Sequence, residues 1–581
     1  MAYTSSAQTL PLHIIEGIAS YIPKTRSARL PVVNGEDSSV KQKTLLPLMA
    51  VCKQWRFVIG SLFYKSALLS YDSKKLWVHK HESLIKLEDV IATNSQHHLK
   101  KVQVYISPED FKTTNNSTSL LREFLKKVGP LERVREVTLF FAPHNSIYRF
   151  QRNNEAEDVI DMGLFSATLD DYANLFHQLL PNKKIVNVYK TQQQYRSSGK
   201  FADIVKRMSD FIPQLVSSQM CHFFSMGIDL TKPFVDNLKG ASLKRISIAK
   251  HKGTQQHIEL IRRNAQTLEV LHIKNATTHA LVKMTYRGAK QGTLAYPRLR
   301  ELYITSCSGY RSMKHNQPTC DPFPVLRVLD CQGNFPFATP IVLDHGRNHL
   351  SVLRIDADRH LLEILGNSDV LEDGSFKYLN VISLGWRHRV AFPRDDHANQ
   401  IFVKAINMAP FASTVENCGL HVSDFEQSVL PKINFSDHLR TLNLEGTVLT
   451  MKDTVKLLSK FKRLDNASIS LKEEPTDNNT RMPTVESLQE YQRELKSYSP
   501  SNVGVLNIRH AHYKNSRRAA EFLVLMTSIM TSIRKIVVGR KNISRPDSIV
   551  RRVSFVLRRP IYKTDDHVNS VEYQAEDYTC F

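Results

Sequence analysis

The chain has 581 residues, too many for one compact core, so a small domain joined to a larger multi-unit body is expected. Its 41% hydrophobic and 23% charged residues are the balance of an ordinary folded protein. The 79 basic against 56 acidic side chains leave +23, an excess that attracts acidic proteins, phosphorylated segments, nucleic acid or anionic lipid without choosing among them.

Seven cysteines (Cys52, Cys221, Cys307, Cys320, Cys331, Cys418, Cys580) are odd in number, scattered, and form no CxxC pair. That pattern suits a reducing cytoplasm or nucleus and speaks against a disulfide framework or a zinc module. No apolar run approaches the roughly 18 residues of a membrane helix. The first apolar stretch is broken by His13 and Glu16 and has no basic region before it, so no signal peptide is expected.

In chain order, the first predicted element is a helix of about three turns opening at Leu10-Pro11. Proline is tolerated in a first helical turn, whose N–H groups have no partners within the helix. Leu12, Ile15, Ala19 and Ile22 share one stripe, with Ile14, Ile18 and Tyr21 beside it, and Pro23 ends the helix. A polar insert at about 23–43 carries Pro31, Asn34-Gly35 and Ser38-Ser39, which is loop chemistry. Thr44 is a candidate cap for a second helix with the stripe Leu45, Leu48, Cys52, Trp55 and Ile59, flanked by Val51, Val58 and Leu62. Two short helices this apolar are expected to need a partner to cover them.

Leu10-Pro11, Ile14, Ile18 and Tyr21-Ile22, followed by Val51-Cys52-Lys53 and Trp55-Arg56, closely resemble the F-box motif. The resemblance spans about fifty residues. His13 stands where the family commonly has an acidic residue, and the insert is longer than usual. The resemblance implies a helical module at 1–75 that docks on a Skp-type adaptor within a cullin-based ubiquitin ligase. It names Leu10, Pro11, Ile14, Ile18, Val51 and Trp55 as the adaptor contacts.

From Leu243 onward an L-x-x-L-x-L spacing recurs, at Leu243–Ile248, Leu268–Ile273, Leu299–Ile304, Leu326–Cys331, Leu350–Ile355, Leu379–Leu384 and Leu439–Leu444. Successive starts lie 25, 31, 27, 24, 29 and 60 residues apart, the last gap leaving room for an irregular copy near Cys418–Val422. This spacing resembles the leucine-rich repeat, in which each unit gives one parallel strand and a returning helix or loop. Weaker strand candidates are Lys101–Ile106, Val134–Phe141, Ile185–Tyr189, Cys221–Met226, Leu464–Leu471, Val503–Ile508 and Ile533–Val538. Helices fit at Ser119–Lys127, Asp170–Leu180, His257–Asn264, Met451–Phe461 and Arg518–Ser532.

The expected fold class is therefore α/β, a small helical module followed by a curved repeat solenoid over 76–557, clearest at 243–471, with a tail at 558–581 that is acidic from 565. In each repeat the leucines point inward, so the residue between the last two points outward. Ser247, His272, Tyr303, Asp330, Arg354, Ser383 and Asn443 thereby form a polar row on the concave strand face, the candidate substrate surface.

Residues 509–559 hold thirteen Lys or Arg against Glu521 and Asp547, nearly half the chain's surplus. The pairs Arg517-Arg518, Arg534-Lys535, Arg540-Lys541 and Arg551-Arg552 form a basic patch suited to carboxylate or phosphate. Few aromatics interleave there, which disfavours nucleic acid. The sequence has no Gly-rich phosphate loop and no GxSxG elbow. His79, His81 and the Cys307/Cys320/Cys331 set lack partners at zinc spacing, so no metal, cofactor or catalytic residue is assigned. The expected function is a non-catalytic substrate-recognition subunit of a ubiquitin ligase, cytoplasmic or nuclear and away from membranes, holding an acidic or phosphorylated protein. The alternatives are an interaction scaffold with a vestigial F-box, and an RNA- or chromatin-associated protein using residues 509–559.

Overall fold

The structure is a computed structural model. It describes residues 10–15, 49–69, 85–106, 117–141, 162–190, 210–215, 222–226, 232–238, 242–248, 255–274, 276–285, 294–308, 322–333, 335–343, 349–356, 359–367, 376–386, 403–405, 415–422, 438–461, 463–472, 503–512, 535–539 and 570–574, with a few single positions besides. The chain divides into two compact units, Met1–Ala276 with Lys283–Arg298, and Thr277–Val282 with Leu299–Phe581. The architecture is mixed α/β with parallel strands, and in both units each strand pairs with the next in sequence.

In the first unit the order is α1 (Lys53–Phe63), β1 (Ser66–Leu69), α2 (Leu87–Ala92), β2 (Lys101–Ile106), α3 (Ser117–Val128), β3 (Glu136–Phe141) and α4 (Met162–Leu179). It continues with β4 (Ile185–Lys190), β5 (His222–Met226), α5 (Lys232–Asn237), β6 (Arg245–Ile248), α6 (Gln255–Arg263) and β7 (Val270–Ile273). Strands β1 to β7 form one parallel ladder in sequence order. Parallel neighbours need a crossover, which the intervening helices and loops supply.

The second unit repeats the scheme with β8 (Glu301–Ser308), β9 (Val328–Gly333), α7 (Ala338–Leu343), β10 (Val352–Asp356), α8 (Arg359–Leu365) and β11 (Val381–Trp386). Then come β12 (Asn417–Val422), β13 (Thr441–Leu449), α9 (Met451–Leu458), β14 (Asn466–Lys472), β15 (Val505–His512), β16 (Lys535–Gly539) and β17 (Ser570–Gln574). Strands β8 to β16 pair in parallel, each with the next. β17 turns back and pairs antiparallel with β16, so the outer edge of β16 is covered by the chain's own strand.

All seven L-x-x-L-x-L segments carry a strand, and their 21 apolar positions are at most 2% exposed. The middle positions stack in register: Leu302, Leu329, Leu353, Ile382, Cys418 and Leu442 are successive Cα partners. Burying one such side chain stabilises by roughly 1.5–3 kcal/mol, and each gains this only beside its neighbours. The main chain of the leading leucine is also satisfied across the step. Leu243 N–H donates to Asn264 Oδ1 at 2.9 Å, and Thr267 Oγ1 donates to the Leu243 carbonyl at 2.9 Å. Asn264, just past α6 and 4% exposed, donates in turn from Nδ2 to Leu260 O at 2.8 Å.

Several boundaries differ from the sequence reading. β1 lies inside the span assigned to the helical module, because Ala67-Leu68-Leu69 is a three-residue apolar run without alternation. β17 lies in the span assigned to the tail. α4 begins at Met162, eight residues before the predicted helix. The second helix of the N-terminal pair is interrupted: Met49 is helical, Cys52 takes an extended conformation (φ −163°, ψ 176°), and α1 starts at Lys53, while residues 44–48 lie outside the described residues. The helix predicted at Arg518–Ser532 lies outside the described residues.

Among the described residues of the first unit, one Lys or Arg is buried. Lys183, 1% exposed, places Nζ 2.7 Å from His177 Nδ1 and 3.1 Å from Leu180 O. His177 Nε2 lies 2.6 Å from Gln214 O, which fits a neutral ring that donates from Nε2 and accepts at Nδ1. Burial pushes the Lys183 pKa down to about 8, and burial and then Lys183 hold His177 below its usual value.

Two outcomes are expected. Asn264→Ala leaves the Leu243 N–H unsatisfied and lowers stability by about 1–3 kcal/mol, read as the urea midpoint of the full chain. Between pH 8 and 10.5 the unfolded chain holds a proton on Lys183 that the folded chain has released, so stability rises with pH in that window. Lys183→Met is expected to flatten that rise; an unchanged pH profile would show that residue 183 does not set it.

Candidate recognition surfaces

Two surfaces stand out, one on the N-terminal helices and one on the strand face of the second unit. In the first, residues 12–15 are helical and Ile15 is fully buried with Trp55, Val58, Ile59 and Phe63. Leu10, Met49, Val51, Cys52, Leu62, Tyr64 and Ile85 pack around this cluster. The spacing Trp55, Ile59, Phe63 puts one side chain per helical turn on the buried side of α1.

The expectation that both apolar faces stand open is thereby corrected. Trp55 is 5% exposed and belongs to the module's own core, where its large ring is the anchor of the cluster, so it offers no surface to a partner. Leu10 and Val51 are half-buried against the same cluster, while Pro11 is exposed. Ile18 lies outside the described residues.

What remains in water is a different set. Among the described residues the exposed large apolar side chains are Leu12 (46%), Ile14 (40%), Phe57 (61%), Leu164 (45%) and Tyr378 (58%). Three of the five fall within residues 12–57. On α1, Lys53, Arg56 and Phe57 are all exposed and, at i, i+3 and i+4, share one face. The Phe57 ring meets His98 edge-on at 5.7 Å between centroids, and His97 lies 3.9 Å from His98. Burial first, then His97 and Arg133, hold His98 below the usual imidazole pKa, so it is neutral beside Phe57 at physiological pH. Leu12 and Phe57 were missed as candidates because an all-round apolar pattern does not tell the sealed side of a helix from the open one.

The strand-face row is in register. Ser247 pairs with His272 in the first unit; Tyr303, Asp330, Arg354 and Ser383 are successive partners in the second. Gly419 then separates Ser383 from Asn443, and Ser468 and Asn507 continue the row. Register does not equal access, however. Ser247 is 3% exposed, Gln103 and Thr138 on the same row are also buried, and His272 is half-buried. Ser247, expected on the open face, is buried and is not among the side chains this face presents. Ser383, at 9%, is equally recessed.

The second unit's row is the open one. Tyr303, Asp330 and Asn443 are half-buried and Arg354 is exposed. Arg354 Nη1 donates to Asp330 Oδ2 at 3.0 Å, and the Tyr303 hydroxyl donates to Glu301 Oε2 at 3.1 Å. Asn443 keeps a buried Oδ1 with no protein donor. Two residues along, Asp356 Oδ2 accepts the Gly333 N–H at 2.6 Å. Gly333 has φ +107°, and a Cβ at Gly385 would collide with Asp356 Oδ1, so glycine at both positions lets this carboxylate lie flat on the strands.

Cys307, Cys331 and Cys418 are buried, and burial raises each thiol pKa, Cys418 to about 12, which removes the thiolate a nucleophile needs. Among the described residues no three His, Cys, Asp or Glu side chains are grouped to hold a metal, and no helix is long and apolar enough to cross a membrane. Of the basic patch, Arg517, Arg518, Arg534, Arg540, Lys541, Arg551 and Arg552 lie outside the described residues, and Lys535 is placed only as the first residue of β16.

No family model matches this chain, and no curated protein matches its sequence.

The two N-terminal roles separate experimentally. Trp55→Ala is expected to cost about 3–5 kcal/mol by opening the cluster. Phe57→Ala is expected to change stability by no more than about 0.5 kcal/mol, as a surface substitution does. Thermal unfolding of the purified variants checks both, and equal losses would contradict the division into core and surface.

Proposed function

We propose that the protein is an F-box-type adaptor: a helical module at its N-terminus docks on a Skp-type subunit of a cullin-based ubiquitin ligase, and leucine-rich-repeat-like strands hold the substrate. The observation that carries this reading is the concentration of exposed apolar side chains at Leu12, Ile14 and Phe57, on helices whose opposite sides are sealed by their own core. Exposed apolar groups gathered on a rigid support mark a protein-binding surface. The resemblance of Leu10-Pro11 and Val51-Cys52-Lys53-x-Trp55-Arg56 to the F-box supplies the partner's class. The docking set becomes Pro11, Leu12, Ile14 and Phe57, with Leu10 and Val51 at its margin and Trp55 as internal support.

In this role the chain performs no bond chemistry. Tethering a substrate beside a ubiquitin-charged enzyme raises the effective concentration of its lysines, to the millimolar range for short flexible links. The repeat ladder supports the same reading, since a rigid array of strands presents side chains at fixed spacing.

Co-purification with a Skp-type adaptor tests it. The double variant Leu12→Asp, Ile14→Asp places charge on the exposed side only, so it is expected to keep the thermal midpoint and weaken adaptor binding at least about tenfold. Undiminished binding would reject the interface. If no adaptor binds the wild-type chain while a stable partner is retained on the strand face, the protein is a scaffold outside any ligase.

A further inference from the structure

The open strand face of the second unit has a chemistry opposite to that of the chain as a whole. The protein carries +23, yet among the described residues the strands β8 to β11 present Glu301, Asp330 and Asp356 against one cation within the strands, Arg354, with Arg300 and Arg327 exposed just before β8 and β9. Arg354 is already engaged with Asp330. Beside these groups runs an independent feature: Val328, Val352 and Val381 are successive register partners, all half-exposed, on the same side of their strands as Asp330, Arg354 and Ser383. An aliphatic stripe on three adjoining strands, about 4.8 Å apart, thus has Glu301 in register at one end and Asp330 beside its first valine.

Further along, the face changes character. Asn443, Ser468 and Asn507 follow one another in register, and the parallel row beside them is Asn417, Thr441 and Asn466. All six are half-buried or exposed. Amides and hydroxyls of this kind pair with any peptide main chain.

From this arrangement we infer that the second unit's strand face binds a basic segment of a separate protein, in which a Lys or Arg lies against the carboxylates and a neighbouring aliphatic side chain lies on the valine stripe. The amide and hydroxyl rows hold the segment's main chain. The inference deepens the recognition role given to this face and rests on that role; the expectation of an acidic or phosphorylated substrate concerned the basic patch at 509–559 instead. A phosphate or carboxylate set on β8–β11 meets three carboxylates and one already paired guanidinium.

Three fluorescein-labelled peptides of equal length test this by anisotropy on the full chain without adaptor: one with Lys and Arg among leucines, one with Glu at the basic positions, one with Ser there. The basic peptide is expected to bind the wild type, more weakly as salt is raised. Asp330→Lys and Glu301→Lys are each expected to weaken it by about tenfold. Val352→Glu, which removes apolar surface but adds an acid, separates the two contributions: an extended aliphatic contact predicts weaker binding despite the added charge. Arg354→Ser frees the Asp330 carboxylate and is expected to tighten the basic peptide. Far-UV circular dichroism confirms that each exposed substitution leaves the fold intact. Weaker basic-peptide binding in Arg354→Ser, no change in Asp330→Lys, or a Glu peptide that binds best and depends on Arg354 would overturn the inference. Because adaptor is absent, failure of N-terminal docking leaves these outcomes unaffected.

Discussion

The repeated burial of Leu-x-x-Leu-x-Leu side chains is the constraint on which the rest of this structure depends. A short strand has only two faces, and once its second and third apolar positions are fixed in the core, the residue between them must face the other way. Parallel pairing in register then aligns those intervening residues from strand to strand. One apolar requirement, applied repeatedly, thus creates both the core and a polar row beside it. The same requirement makes each repeat depend on its neighbours, since a single strand and helix cannot cover their own apolar sides.

The N-terminal helices answer the same burial problem by other means. α1 turns Trp55, Val58, Ile59 and Phe63 inward onto Ile15, so the small module carries a core of its own. What distinguishes it from an ordinary helical cap is the residue set left outside, with Phe57 at 61% exposure and Leu12 at 46%. These are large side chains whose burial against a partner gains roughly 1.5–3 kcal/mol apiece. Core and exposed apolar side chains therefore occupy different sides of the same short helices, and substitutions on the two sides have different consequences.

Much of this was legible in the sequence, and the parts that were not have identifiable causes. The period-2 pattern located the strands, including the weak candidates at Lys101–Ile106 and Ile185–Tyr189, because alternation with β-branched residues is a local signal. The order of the outward row was also readable, since Tyr303, Asp330, Arg354 and Ser383 follow one another in register. Solvent access was not: Ser247 and Arg354 occupy equivalent repeat positions, yet one is 3% exposed and the other is on the surface. Their difference depends on side-chain length and on neighbouring strands far away in sequence. Trp55 misled for a related reason, because a stripe of large apolar groups looks the same whether it meets its own chain or another's. The acidic character of the β8–β11 face was hidden beneath a strongly basic composition, since net charge records nothing of where the charges sit.

The central claim is that the intervening residues stand side by side on one face of a parallel ladder. Disulfide trapping measures this directly. Arg354 and Ser383 are register partners on that face, and parallel-strand neighbours lie within the roughly 4.4–6.8 Å between Cα atoms that a disulfide spans. The account predicts that Arg354→Cys with Ser383→Cys cross-links under mild oxidation, seen by peptide mass spectrometry, whereas Arg354→Cys with Ile382→Cys does not. Cross-linking of the second pair but not the first would place the strands one residue out of register, turn the polar row into the core, and contradict the account.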